Sequence, residues 1–158
     1  MRKALRSPLF AACLVVVFAG TALATAASGL TPTTFSRGTV AEKVHFNTGA
    51  VKFQTKADVD LVTQTITFAA GATSGWHAHP GVVLVTVASG SLVRYDGDCS
   101  ATTYTANSAQ SAFVESGDHS GLVRNETANP AVVYVTYIVP KGTTALRIDK
   151  ANPNCGPS

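Results

Sequence analysis

The sequence is poor in the residues on which many functional classes depend. In 158 residues it has three cysteines, four histidines, one tryptophan and one methionine, and only 13% of it is charged. No CxxC pair occurs. No glycine-rich loop stands at a strand-to-helix junction to cradle phosphate, and no nucleophile–base pair can be drawn. Beyond the first residues no stretch of useful length has helical periodicity, and no internal repeat or low-complexity block is present. Of the 12 Lys and Arg, three lie at positions 2, 3 and 6; without them 9 cations face 9 Asp and Glu, a formal net charge of zero. The remaining cations are scattered singly, so no basic stripe exists for nucleic acid or anionic lipid.

The first segment reads as an export signal. Arg2, Lys3 and Arg6 form a positive start, and Leu9 to about Leu23 is apolar and uncharged. Ala22-Leu23-Ala24 and Ala24-Thr25-Ala26 both offer small residues to a signal peptidase. The apolar run falls short of the roughly 20 residues that span a bilayer. Cys13 lies inside this run, too early to serve as a lipidated residue. The expected organisation is therefore a signal peptide over 1–26, a flexible linker or arm over 27–39 and one domain over 40–158. A secreted or extracytoplasmic location, in a periplasm or cell wall, follows, with no membrane attachment after cleavage. Two cysteines survive processing, Cys99 and Cys155. An oxidising compartment would join them and tie the middle of the domain to its tail.

What is abundant is strand. Runs rich in Val, Thr and aromatic residues alternate with Gly, Asn, Asp and Pro breaks from about Val40 onward. They cover Val44–Asn47, Val51–Thr55, Leu61–Ala69, Val82–Val87, Ser91–Tyr95, Thr102–Thr105, Ala112–Glu115, Leu122–Asn125, Val132–Val139 and Ala145–Ile148. Many short strands at regular spacing predict an all-β antiparallel sandwich or barrel. Val82–Val87 and Val132–Val139 are apolar at nearly every residue and are expected to be buried on both faces.

His77 and His79 stand two residues apart, so on a strand their imidazoles project side by side, as two ligands of one metal would. The stretch Gly71-Ala-Thr-Ser-Gly-Trp-His77-Ala-His79, closed by Gly90, resembles the first motif of the cupin superfamily. Phe113-Val-Glu-Ser-Gly-Asp-His119-Ser-Gly-Leu-Val-Arg-Asn125-Glu, with the run after Asn129, resembles the second. The resemblance covers roughly residues 60–149. It implies a jelly-roll barrel whose interior holds a metal or a small ligand, and a chemistry ranging over dioxygenases, isomerases, epimerases and decarboxylases.

The departures are as informative. The first motif's glutamate would fall at Val83 or Leu84, and the second motif's histidine at Gly121. The motif's proline and second glycine would be Ser116 and Asp118. Two of four usual ligands are thus kept. His119, two residues before Gly121, shares its parity but is displaced by about 6–7 Å along a strand. A bulge at Ser116-Gly117-Asp118 could shorten that gap. The expected metal set is His77, His79 and His119, holding Zn, Fe, Mn or Cu. Glu115 could supply the missing carboxylate from a neighbouring strand but reads more simply as a solvated turn residue. His45 and Arg124 read as surface residues. Tyr134 and Tyr137 have opposite parity, so at most one faces the cavity. Asn125-Glu-Thr127 matches a glycosylation acceptor, yet Asn125 coincides with the second-motif asparagine and reads as structural.

Two functional classes follow. One is a metal-dependent enzyme of cupin type, dioxygenase- or isomerase-like, with no assignable general base. The other is a non-catalytic extracytoplasmic module that has lost its metal and binds or senses a small molecule. Either could form a homodimer through sheet edges or the N-terminal arm.

Overall fold

The computed structural model describes residues 24–156. The expected signal segment lies outside them as far as residue 23. Twelve strands make up the regular structure: β1 (Ser28–Val40), β2 (His45–Asn47), β3 (Lys52–Gln54), β4 (Val59–Thr73), β5 (His77–Ala78), β6 (Val82–Ser89), β7 (Ser91–Asp96), β8 (Ala101–Thr105), β9 (Ala112–Glu115), β10 (Gly121–Arg124), β11 (Ala131–Pro140) and β12 (Ile148–Asp149). Among the described residues there is no helix.

Ten strands form one antiparallel sheet that nearly closes into a barrel, the fold class expected. Its order is β12-β5-β10-β4-β11-β6-β9, with β1 on β4 and the β7–β8 hairpin on β10. β2 and β3 pair separately, with Phe46 and Phe53 stacked at 5.5 Å. The interior is lined by apolar side chains that form the core, including Val62, Phe68, Val83, Val85, Val87, Leu92, Phe113, Val133, Val135 and Val139. Alternation of inward and outward side chains makes this possible.

Two expectations are corrected here. Residues 27–39 are not a free linker: β1 pairs with β4 from Ser28↔Thr73 to Val40↔Val59 and forms part of the barrel wall. Its residues are exposed along nearly the whole strand, so no buried apolar face marks it in the sequence. Backbone pairing holds it, reinforced where Asp60 accepts hydrogen bonds from Arg37 and Thr39, each at 2.7 Å. Nor are β6 and β11 covered on both sides. In β6, Val83, Val85 and Val87 point inward while Val82 and Leu84 are about 40% exposed. The barrel is one layer thick there, so an apolar outer residue simply faces water.

Glycine is required at two positions of the first motif's region, just before Trp76 and at its closing residue. Gly75 has φ +62 and any Cβ on it would collide with the Thr25 carbonyl. Gly90 has φ +76, and a Cβ there would stand 2.8 Å from that of Ala131. Both positions combine a left-handed backbone with close chain approach.

Candidate metal centre

His77 opens β5 and His79 immediately follows it, and both are buried. Their rings meet edge to face, with centroids 4.7 Å apart. Each ring is fixed by a backbone carbonyl. Nδ1 of His77 lies 2.9 Å from the Gly75 carbonyl, and Nδ1 of His79 lies 2.6 Å from that of Leu146. A carbonyl only accepts, so each Nδ1 carries the proton and donates. Each Nε2 is then the nitrogen left to bind a ligand. This is the arrangement by which second partners orient metal-binding histidines.

The third member is Glu115, at the end of β9. Its Oε2 lies 3.1 Å from His79 Nε2, and the ligand atoms of His77, His79 and Glu115 are all within 4.8 Å of one another. With Nδ1 already donating, two arrangements reconcile that Nε2 with an ionised carboxylate. One is a second proton on the ring; the other is a cation held between them. Burial raises the Glu115 pKa, but the His79 hydrogen bond, with the Arg94 guanidinium nearby, outweighs it and holds the group below its ordinary value. Burial pushes His77 the opposite way, down to about 4, so its imidazole is neutral at physiological pH. Two imidazole nitrogens and one carboxylate with open positions suit a first-row divalent ion.

Glu115 is therefore not the solvated turn residue expected from the sequence. It pairs directly with Val83 across β6 and β9. Paired residues share a face of the sheet. The carboxylate thus enters the barrel from the residue opposite one of the two positions where the motif would place its glutamate. Gly121, the motif's second histidine position, pairs with His77, and a Cβ added to it would be 3.9 Å from Glu115 Oε1. The backbone position faces the centre; the side chain is missing.

The structure does not bring His119 to this group. It sits on the turn after β9, with a side chain about 75% exposed, and its Nδ1 contacts Ser116 Oγ at 2.5 Å and Asp118 Oδ1 at 2.9 Å. The Ser116–Asp118 turn carries it outward rather than shortening the gap to Gly121. His45 is exposed on β2, as expected. Tyr137 faces inward with its ring 5.6 Å from His79, while Tyr134 is 54% exposed. Burial raises the Tyr137 phenol to about 12, so it remains protonated. Asn125 is fully buried; its Nδ2 donates to the carbonyls of Phe68, Ala69 and Asn129, a structural role.

Above the centre lies a cavity of about 440 Å³. Apolar side chains such as Leu30, Ile66, Phe68, Val85, Val133 and Val135 line most of it. Among the described residues, Tyr137 and Arg147 are the only ionisable side chains lining it besides the three of the centre. Leu146 and Arg147 had no signal in the sequence: one contributes a backbone carbonyl, the other lies outside both motifs.

No family model matches the chain, and no curated protein matches it. Neighbours among solved structures include cupin-domain proteins. A cupin 2 conserved barrel domain protein from Leptotrichia buccalis is 16% identical with a TM-score of 0.49, over 70% of this chain and 41% of that one. A cupin domain from Bordetella pertussis Tohama I is 16% identical with a TM-score of 0.46, over 70% of this chain and 93% of that one. The cupin 2 domain of an XRE family transcriptional regulator from Enterobacter cloacae is 22% identical with a TM-score of 0.43, over 51% of this chain and 83% of that one. This chain thus spans about two fifths of the Leptotrichia structure's length. The architecture stands on the strand pairing above, and the chemistry on this chain's own residues.

Proposed function

We propose that the protein is an exported, cupin-type barrel that holds a divalent metal ion through His77, His79 and Glu115 and binds a small organic molecule in the cavity beside it. The observation that carries this is the pair of Nδ1–carbonyl hydrogen bonds, which leave both Nε2 atoms free next to a buried carboxylate. Export is supported by the positive and apolar start of the sequence and by Cys99 and Cys155, whose Cα atoms are 5.3 Å apart at disulfide distance. When bound, the ion would supply Lewis-acid or redox chemistry to a ligand in the cavity.

Elemental mass spectrometry on the exported protein tests the reading. Near-stoichiometric Zn, Fe, Mn or Cu is expected, with none in a His77→Ala/His79→Ala variant. Equal metal in both would sink it.

A purely binding role is the second reading, and the cavity lining favours it over acid–base catalysis. Apart from the three residues of the centre, the ionisable side chains that the described residues place there are a phenol held protonated and a guanidinium. Neither is suited to take a proton near neutral pH.

A further inference from the structure

We propose that the ligand of the cavity is a small organic carboxylate with an apolar body, and that Arg147 is the residue that selects it. The inference rests on the reading of the cavity as a ligand site, and it assigns the ligand's chemical class.

Arg147 lines the cavity from the segment whose neighbouring residue, Leu146, holds His79. Two sides of its guanidinium are fixed. Nε donates to Asp149 Oδ1 and Nη1 to the carbonyl of Ser74. Nη2 is buried with no hydrogen-bond partner among the described residues. A buried donor without an acceptor is uncommon in folded proteins and calls for a partner. Held on two sides with donors to spare, this group matches a planar anion better than a neutral hydroxyl or amide.

The rest of the cavity restricts which anion. Leu30, Ile66, Phe68, Val85, Val133 and Val135 make most of the remaining lining apolar; its other polar side chains are Ser28, Gln64 and Ser74, of which Gln64 donates to Thr34 and the Ser74 hydroxyl is engaged by the Gly75 carbonyl and the Val123 N–H. A bare inorganic anion or a very short acid would leave that lining unfilled. Sugars and polyols would bury hydroxyls against it at a cost. A carboxylate carrying a hydrocarbon or aromatic body satisfies both ends.

Calorimetric titration of the zinc-loaded and metal-free protein with octanoate, phenylacetate, acetate and octan-1-ol tests this. Wild type, Arg147→Gln and Arg147→Lys would be compared, with metal content measured on the same samples. Loss of the ion and loss of the carboxylate site are thereby read separately. Octanoate or phenylacetate is expected to bind, with acetate and octan-1-ol each at least about tenfold weaker, and Arg147→Gln to weaken octanoate by about tenfold or more. Lysine should restore part of that loss through charge alone. Equal binding of octanoate and octan-1-ol, or an octanoate affinity unchanged in Arg147→Gln, would overturn the proposal. So would a fully metallated protein that binds none of the acids.

Discussion

The carbonyl of Leu146 accepts the Nδ1 proton of His79 at 2.6 Å from 67 residues further along the chain. The centre is therefore oriented by the C-terminal segment. That segment is held by pairing of Ile148 with Ala78 and Asp149 with His77, and by Lys150 donating to the Trp76 carbonyl. Beyond it stands the Cys99–Cys155 pair. Replacing both cysteines by serine is expected to cost about 2–4 kcal/mol of stability. The same change should weaken metal binding about tenfold or more, because an orienting partner is loosened. Denaturant unfolding and competition with a chelator measure the two effects.

The pairing of Val83 with Glu115 gives a sharper test of the centre. Glu115→Gln removes the anionic ligand, and metal affinity should fall at least about tenfold, or 1.4 kcal/mol. Moving the carboxylate across the strand pair, in Val83→Glu/Glu115→Val, should recover part of that loss. Failure of the double variant to bind metal better than Glu115→Val alone would show that the two positions are not equivalent.

Asp60 ties β1 to β4 and accepts a further hydrogen bond from the Gly142 backbone at 3.0 Å. The Thr39 hydrogen bond, then those from Gly142 and Arg37, hold its pKa below 3.8 in the fold. A group depressed by folding stabilises above its unfolded pKa and loses that contribution as the pH falls through the folded one. The protein should lose stability below about pH 4, and Asp60→Asn should flatten that part of the profile. Urea midpoints between pH 6 and pH 2.5 would show it.

The two sequence-level cleavage sites are separated by Thr25. Its Oγ1 accepts the Trp76 backbone N–H at 2.6 Å. Cleavage after Ala24 keeps this contact; cleavage after Ala26 removes it. N-terminal sequencing of protein recovered after export distinguishes a start at Thr25 from the start at Ala27 that a 1–26 signal peptide gives. A form beginning at Ala27 should be less stable by about 1 kcal/mol.

The fold was largely legible because strand runs and turn residues alternate without interruption from His45 to Pro140. The histidine pair was legible because alternation alone places His77 and His79 on one face. Glu115 was not, since its burial depends on its pairing with Val83, and a lone glutamate before Ser-Gly-Asp carries the composition of a turn. His119 misled for the complementary reason: parity along a strand says nothing once the chain leaves the strand. β1 was hidden by its exposure, because a strand held mainly by its backbone leaves little mark on side-chain pattern.

Trp76 receives both ends of the described chain: its N–H is taken by Thr25 and its carbonyl by Lys150. The next residue is His77. A polypeptide still emerging from synthesis cannot have both neighbours in place, so the two contacts that flank the histidines form together only after Lys150 has been made. For an exported chain, the ion acquired would then be whichever competes best on the far side of the membrane. Metal identity would be a property of where the protein folds as much as of the ligands it presents.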